Sequence, residues 1–220
     1  MSKSKTDAPQ KQKKRVPNVE RSARTRAKLI DATINSLYEL GYHQTTTVVV
    51  AKRAGVSRGA MLHQFPSKAD LMIAAAEHMR DLRKDLHRER MAPLPTMREK
   101  YLKLIDVLWE AMLSPSGVAR IELMLSTRSD PELADRFSAI NDELDKAHKE
   151  RIWGMAQALG IEGEANRKRV EAFTQLYAAS LRGLAIDALR PGSRAGAGES
   201  VELLKSFQKS MLDEMITENR

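Results

Sequence analysis

Cysteine is absent from this chain of 220 residues. Without thiols, the protein cannot have a disulfide framework or a thiolate-bound metal site. Long apolar runs are absent as well. No segment approaches the roughly 18 apolar residues that a helix needs to cross a bilayer, and the N-terminal residues lack the apolar core of a signal peptide. We therefore expect a cytoplasmic protein that does not associate with a membrane.

Common catalytic signatures are absent too. The chain has no HExxH pair and no glycine-rich phosphate loop. Its five histidines have no metal-ligand spacing beside carboxylates, and its Asp and Glu residues mostly fall on the solvent-facing side of amphipathic patterns. The sequence therefore predicts no catalytic residue, no metal site and no cofactor.

Positive charge is concentrated at one end of the chain. The formal net charge is +8, and residues 1–28 contain ten Lys or Arg against two acidic residues, whereas the remainder is balanced. Residues 1–21 are also poor in apolar side chains, which predicts a disordered basic arm. Such an arm suits nucleic acid, since each neutralised phosphate releases counterions. The alternative is a solvated tail that only keeps the protein soluble.

The most informative segment is residues 45–68, TTTVVVAKRAGVSRGAMLHQFPSK. Thr46 and Ser57 are suited to cap the N-termini of two short helices, and Gly55 suits the positive φ with which a chain leaves a helix. Pro66 ends the second helix, because the residue before a proline is pushed out of helical geometry. The pattern predicts a helix-turn-helix, which places its second helix in a DNA groove.

One local preference opposes this interpretation. Residues 45–50 are six consecutive β-branched residues, which favour a strand. No second strand-like segment exists in the chain to pair with them, and an unpaired strand is unstable in water. We therefore predict a helix from Thr47 to Arg53. The rest of the chain reads as amphipathic helices separated by Gly and Pro signals.

Residues from about Arg24 to Met79 resemble the DNA-binding domain of the TetR/AcrR family of bacterial transcriptional regulators. The matching pieces are the helix ending in Leu40 and Gly41, the Thr45-Thr46 pair, the AKRAGVS segment of residues 51–57, Gly59, Phe65 and the Ser67-Lys68 pair. The resemblance implies an all-α fold. It has an N-terminal three-helix helix-turn-helix DNA-binding domain and a C-terminal helical ligand-binding and dimerisation domain.

These observations divide the chain into four parts. We expect the disordered basic arm at 1–21, the helix-turn-helix DNA-binding domain at 22–70, a connecting helix and linker at 71–95, and the helical effector-binding and dimerisation domain at 96–220.

Arg58 is the best candidate for base readout. It projects from the first turn of the second helix, and a guanidinium pairs bidentately with guanine; a phosphate contact is the alternative. Family members often have Tyr where this chain has Leu62, which could instead pack on a thymine methyl. His63 is either a DNA contact or a solvated side chain. The full set of candidate DNA contacts is Thr46, Thr47, Lys52, Ser57, Arg58, Gly59, Ala60, Leu62, His63, Gln64 and Lys68.

The resemblance also implies an effector pocket in the body. Large or adaptable side chains that could line it are Trp109, Met112, Met124, Phe137, Trp153 and Tyr177, and for each of them a plain core position is the alternative. This lining suggests an apolar or aromatic ligand. Arg120 and Glu122 could anchor polar groups, although charged residues on such helices are usually solvated.

Two apolar stripes near the C-terminus indicate a homodimer, because the last two helices of TetR-family subunits form a four-helix bundle with their partner. The candidate interface residues are Phe173, Tyr177, Leu181, Leu184, Val201, Leu204, Phe207 and Met211. The alternative is that both stripes only complete the protomer's own core.

Together these expectations describe a repressor that binds a palindromic operator in double-stranded DNA as a dimer and is released by a small effector. The competing hypothesis is a helical interaction protein whose basic arm binds nucleic acid or anionic surfaces non-specifically.

Overall fold

A computed structural model describes residues 18–190 and 197–219, and this part of the chain forms nine α-helices and no strand. The helices are α1 (Asn18–Gln44), α2 (Thr47–Ala54), α3 (Arg58–Gln64), α4 (Lys68–Met91), α5 (Met97–Leu113), α6 (Pro115–Ser126), α7 (Pro131–Gln157), α8 (Glu164–Ala188) and α9 (Ala197–Glu218). None of them is long and apolar enough to cross a membrane.

The predicted caps of the N-terminal helices are confirmed. The side chains of Thr46, Ser57 and Ser67 accept hydrogen bonds from backbone N–H groups in the first turns of α2, α3 and α4. Gly55 ends α2 with φ 64° and ψ 36°, the left-handed conformation that glycine adopts without strain. The valine run is helical because Val50 packs into a core that α1, α3 and α4 complete. Tertiary packing here overrides β propensity.

Two boundaries differ from the predicted ones, and the predicted break at Gly41 is confirmed. The first helix begins at Asn18, so the last residues of the predicted arm at 1–21 are helical; residues 1–17 lie outside the described part. Gly41 breaks α1 with φ 74°, and helical geometry resumes briefly after it. The Ser-Pro-Ser-Gly segment at residues 114–117 is one of the Gly and Pro signals predicted to separate two helices, but α6 already begins inside it, at Pro115, with Ser114 as its N-cap. Proline at the first helical position satisfies helix geometry rather than breaking it.

We call α1 to α3 with the start of α4 the head, and α5 to α9 the body. The head and the body share a core, so the predicted boundaries at residues 70 and 95 do not coincide with gaps in the packing. One helix, α4, crosses the first of these boundaries, and its first half packs on α1. A central cluster joins Leu37 of α1 and Met72 of α4 to Leu123 of α6 and Phe137 of α7. A second cluster in the body is formed by α5, α7, α8 and α9. A movement of α6 or α7 would therefore displace side chains that pack directly on α1.

Candidate nucleic-acid interface and effector cavity

The second helix of the helix-turn-helix, α3, is fixed from its inner side. Met61 and Phe65 are each about 1% exposed and pack with Leu29 of α1 and Leu71 of α4. Ser57 caps the helix by accepting a hydrogen bond from the Ala60 N–H at 3.2 Å. These contacts leave α3 little freedom to rotate, so its outer face has a defined direction.

The outer face of α3 is open to solvent. Arg58, Gly59, Ala60, Leu62 and His63 are all exposed, and the side chain of Ser57 is exposed beside them. Leu62 is 42% exposed, although its apolar side chain would normally be buried. A Cβ on Gly59 would have no neighbour within 4 Å, so the backbone can come close to a groove surface. The prediction of an outward-facing recognition helix is confirmed.

The α2 residues form the adjoining part of this surface. Thr46 is exposed at the helix start, where its hydroxyl accepts from the Val49 N–H at 3.2 Å, and Thr47 is half-buried. Lys52 is exposed and has no ion pair with a described residue, whereas its neighbour Arg53 forms an ion pair with Glu39. Helix N-termini present free N–H donors, which adds to the attraction for phosphate.

Two predicted DNA contacts point elsewhere in this structure. The Gln64 side-chain amide donates to the Ser22 hydroxyl of α1 at 2.8 Å. The Lys68 ammonium donates to the Tyr42 carbonyl at 3.1 Å and lies 3.7 Å from the centre of the Tyr42 ring. Burial lowers the pKa of Lys68 from its ordinary value. A phosphate contact by either side chain would require a change of rotamer, because the polar groups of Gln64 and Lys68 are already hydrogen-bonded within the protein.

The structure adds a surface beside α3 that is formed by the first turns of α1. Arg21, Ser22 and Arg26 of α1 face Ala60 and His63 of α3 across an open groove of about 780 Å³. The Arg26 guanidinium lies 4.5 Å from the centre of the Phe65 ring. The excess of positive charge in residues 1–28 was the available signal, but only the fold brings Arg21 and Arg26 beside α3.

A polar network joins the head to the body at the Gly41 break. The Tyr42 N–H donates to Glu122 of α6 at 3.2 Å, and the Tyr42 hydroxyl donates to Asp130, the N-cap of α7. That hydroxyl lowers the pKa of the Asp130 carboxyl, and burial raises the pKa of Tyr42. Arg136 of α7 forms an ion pair at 2.9 Å with Asp70, whose carboxylate completes the capping box of α4. Glu122 is therefore part of this contact, not of an effector site.

Two neighbouring cavities lie in the body. The larger, of about 170 Å³, is bounded by α4, α5, α6, α7 and α8, and the smaller, of about 60 Å³, by α4, α5 and α7. They share Arg83, Leu108 and Ala111 as lining residues. Their position between the head-contacting helices and the C-terminal pair is the place that the resemblance implies for an effector.

The predicted lining is correct only in part. Met112 and Met124 line the larger cavity. Phe137 and Trp153 are instead buried in the central and body clusters, and Trp109 packs half-buried against the body cluster. Tyr177 is also core, although its hydroxyl lies 3.3 Å from Nε2 of His148, which lines the smaller cavity. For the three buried aromatic residues, Phe137, Trp153 and Tyr177, the core alternative is the observed one, because large flat rings fill the contacts between helices.

Sequence reasoning missed the cationic character of these cavities. Together they are lined by five Lys or Arg residues and one acidic residue. Burial is the main reason that the pKa of His148 falls to about 3 and that the pKa of His87 is lowered, and neighbouring arginines add to both effects. Both imidazoles are therefore neutral at pH 7. The cationic residues are Arg83, Lys84, Arg120, Arg151 and Arg182, and the acidic one is Asp145.

The two C-terminal stripes divide into inward and outward residues. Tyr177, Leu181 and Val201 are buried inside the protomer's own core, so they do not form an outer face as predicted. Phe173, Leu184, Leu204 and Met211 are partly buried against that core. Phe207 is 54% exposed, and Leu176 and Leu203 are similarly exposed. Each broad apolar stripe covers both the face that packs on the protomer's core and a face exposed to solvent. The spacing of apolar residues alone did not distinguish the two faces.

Comparison with known proteins identifies the family. Residues 29–75 match the model of the tetR family of bacterial regulatory proteins. CymR of Pseudomonas putida, an HTH-type transcriptional regulator, is 30% identical over 177 residues, which cover 80% of this chain and 85% of CymR. BetI of Burkholderia cenocepacia, another HTH-type transcriptional regulator, is 41% identical over 139 residues, which cover 62% of this chain and 70% of BetI.

Solved structures share the fold. A transcriptional regulator of Rhodococcus sp. Rha1 superposes with a TM-score of 0.65 at 20% identity, covering 87% of this chain and 96% of that one. A protein of Saccharomonospora viridis solved in complex with choline has a TM-score of 0.64 at 17% identity, with coverages of 87% and 96%. With its outward recognition helix and a curated relative that spans most of its length, this chain belongs to the TetR family of bacterial transcriptional regulators.

Proposed function

We propose that this protein is a cytoplasmic repressor that binds a palindromic operator as a homodimer and leaves it when a small molecule with an apolar or aromatic body occupies the cavities. The observation that carries the proposal is the exposed N-terminal turn of α3, with Arg58 projecting from a helix whose inner side is fixed by Met61 and Phe65. A rigid, outward helix is what entry into a major groove requires.

Arg58 would read a guanine, while Lys52 and the α2 N-terminus would contact phosphates. Contacts to base edges carry sequence preference, whereas contacts to phosphate set register without reading sequence. Leu62 would pack on a thymine methyl in place of the usual tyrosine. Arg21 and Arg26 extend the cationic surface along the neighbouring backbone.

The dimer would bury the exposed apolar residues of α8 and α9. Leu176, Leu203 and Phe207 are large apolar side chains in solvent on the helices that the family uses for dimerisation. A two-fold axis through this face relates two recognition helices, which suits half-sites about one helical turn, roughly 34 Å, apart.

Release from DNA would begin in the cavity. Arg83 is on α4 and Arg120 is on α6, two residues from Glu122, which accepts the Tyr42 N–H of α1. A ligand that shifts α6 relative to α4 would move the attached head, and a small rotation takes two heads out of register with successive grooves. Choline, which the Saccharomonospora protein binds, is a poor candidate here because the lining has an excess of positive charge.

The test is selection of bound fragments from genomic DNA, followed by anisotropy titrations on the selected duplex and on random duplex at several salt concentrations. We expect an inverted repeat and a preference of about a thousandfold or more for it. Equal affinity for both duplexes, falling steeply with salt, would instead establish the non-specific polyanion binder.

Arg58→Ala and Lys52→Ala form a matched pair within the same titrations. We expect Arg58→Ala to cost about 1–3 kcal/mol on the selected site with relaxed base preference, and Lys52→Ala to weaken both duplexes alike. Equal losses on both duplexes for Arg58→Ala would contradict the assignment of base readout.

A further inference from the structure

The larger cavity combines an apolar wall with an excess of cations. Leu108, Ile121 and Met124 form part of its apolar wall, while three arginines enter it from three helices. These arginines are Arg83 of α4, Arg120 of α6 and Arg182 of α8. An apolar wall beside clustered guanidinium groups matches a ligand that has an apolar body and a negative group.

Among the described residues, Arg120 is the member of the cluster that has a buried donor without a partner. Its Nη2 donates to the Asn141 side-chain carbonyl, and its guanidinium lies 5.5 Å from the centre of the Phe137 ring. Its Nη1 is buried and has no hydrogen-bond partner among the described residues. The planar guanidinium can donate two parallel hydrogen bonds to one carboxylate. A buried donor that has no acceptor lowers stability.

The cluster also has no carboxylate in direct contact among the described residues. Arg83, Arg120 and Arg182 form no ion pair within 4.0 Å in the part of the chain that the structure describes, although arginines elsewhere on the body, such as Arg167 and Arg169, each contact two carboxylates. The one acidic residue of the lining, Asp145, is solvent-exposed. Burial is the main cause that lowers the pKa of Arg83 and brings that of Arg120 to about 10; nearby cations lower both further, and the negative charge of Asp145 only partly opposes these shifts.

We propose that the effector is an organic anion, a carboxylate carried on an apolar or aromatic body, and that Arg120 binds this carboxylate with help from Arg83 and Arg182. The inference rests on the proposed ligand-controlled function and narrows its ligand class. A neutral compound could accept a hydrogen bond from the buried donor of Arg120, but it would bring no counter-charge to the three arginines, and a cationic compound would add to the repulsion.

The same geometry explains how binding of such an anion in the cavity would change the position of the head. A carboxylate shared by Arg83 and Arg120 draws α4 and α6 towards one group, and α6 holds Tyr42 of α1 through Glu122. Before binding, these two helices carry like charges into one cavity; after binding, the charges share a counter-ion. The ligand therefore interacts differently with different separations of α4 and α6, which a conformational switch requires.

The test uses matched acids and amides of the same shape: benzoate with benzamide, phenylacetate with phenylacetamide, and octanoate with octanamide. Binding to the full-length protein is measured by calorimetry and by the shift in melting temperature. We expect at least one acid to bind about tenfold to a hundredfold more tightly than its amide, since hydrogen bonds to charged groups are the stronger class.

Arg120→Met is the decisive variant, with Arg128→Met as its control. Arg128 is an exposed arginine just beyond the end of the same helix, so its replacement removes a charge without entering the cavity. We expect Arg120→Met to abolish the preference for acid over amide and Arg128→Met to retain it. Circular dichroism confirms that both variants are folded.

Three results would overturn the proposal: amides that bind as well as acids, acids that bind Arg120→Met as well as the unmodified protein, or no acid binding at millimolar concentration. Operator affinity, measured separately without ligand, distinguishes this failure from failure of the proposed function. Specific DNA binding without any response to acids refutes only the ligand class, whereas acid binding without specific DNA binding refutes the regulator.

Discussion

Replacing Arg120 by methionine is expected to stabilise the protein while removing its response to anions. The charged form of Arg120 is disfavoured inside the protein, since its pKa falls from 12.5 to about 10. At about 1.4 kcal/mol per pKa unit this corresponds to roughly 3 kcal/mol. Methionine is shorter but has a similar residue volume and no polar group to desolvate, so the substitution relieves this cost without opening a large cavity.

Two favourable contacts are lost at the same time. The hydrogen bond to Asn141 contributes about 1–2 kcal/mol and the contact with the Phe137 ring up to about 1 kcal/mol. The difference leaves a gain of about 1 kcal/mol in the free energy of unfolding. A residue retained at a cost to stability is expected where binding needs it.

Urea denaturation followed by circular dichroism measures this effect at one fixed protein concentration, because the proposed dimerisation would link stability to concentration. We expect a higher midpoint with an unchanged m-value for Arg120→Met, and a change within about 0.5 kcal/mol for the exposed control Arg128→Met. A loss of more than about 1 kcal/mol in Arg120→Met would show that the guanidinium is structural, and the reasoning on its unpaired donor would be refuted.

Three other perturbations test the remaining contacts. Tyr42→Phe removes the hydroxyl that donates to Asp130; we expect a loss of about 1 kcal/mol in stability and a smaller effect of ligand on operator affinity, measured by anisotropy. His148 has a folded pKa near 3. The unfolded chain takes up its proton at about pH 6.5, so this group's stabilising contribution is complete above that pH and falls as pH drops towards 3; we expect His148→Phe to flatten the urea midpoints between about pH 7 and 5. In Gly117→Ala the new Cβ would lie 2.1 Å from a backbone oxygen of α5, so we expect a melting temperature lower by several degrees, whereas Gly154→Ala, with open space around it, should be neutral or stabilising. An unchanged melting temperature in Gly117→Ala, an unchanged pH profile in His148→Phe, or an unaltered ligand effect in Tyr42→Phe would each contradict the corresponding contact.

The helix-turn-helix could be predicted because its signals are local. Thr46, Ser57 and Ser67 cap helices through hydrogen bonds that span three residues, and Gly55 adopts a conformation that few other residues tolerate. Such interactions are complete within one or two helical turns. Their outcome therefore follows from the order of the residues, and the outward direction of Arg58 follows from the same spacing.

The direction of each apolar stripe depended on neighbours that lie far away in the chain. Tyr177, Leu181 and Val201 belong to the same helical patterns as Phe207, yet the first three are buried and the last is exposed. A stripe wide enough for two faces has the same periodicity whichever face meets the protomer's own core. Lys68 likewise reads as a surface cation, and only the fold brings its ammonium against the Tyr42 carbonyl.

The candidate effector site is the clearest product of tertiary structure. Arg83, Arg120 and Arg182 stand on three helices and are separated by dozens of residues, and in the sequence each resembles a solvated charge on an amphipathic helix. Their convergence is set by how α4, α6 and α8 pack, which no periodicity records. Local hydrogen bonds therefore made the helix-turn-helix predictable from the sequence. The positive charge of the cavity, in contrast, results from the packing of helices that are far apart in the sequence.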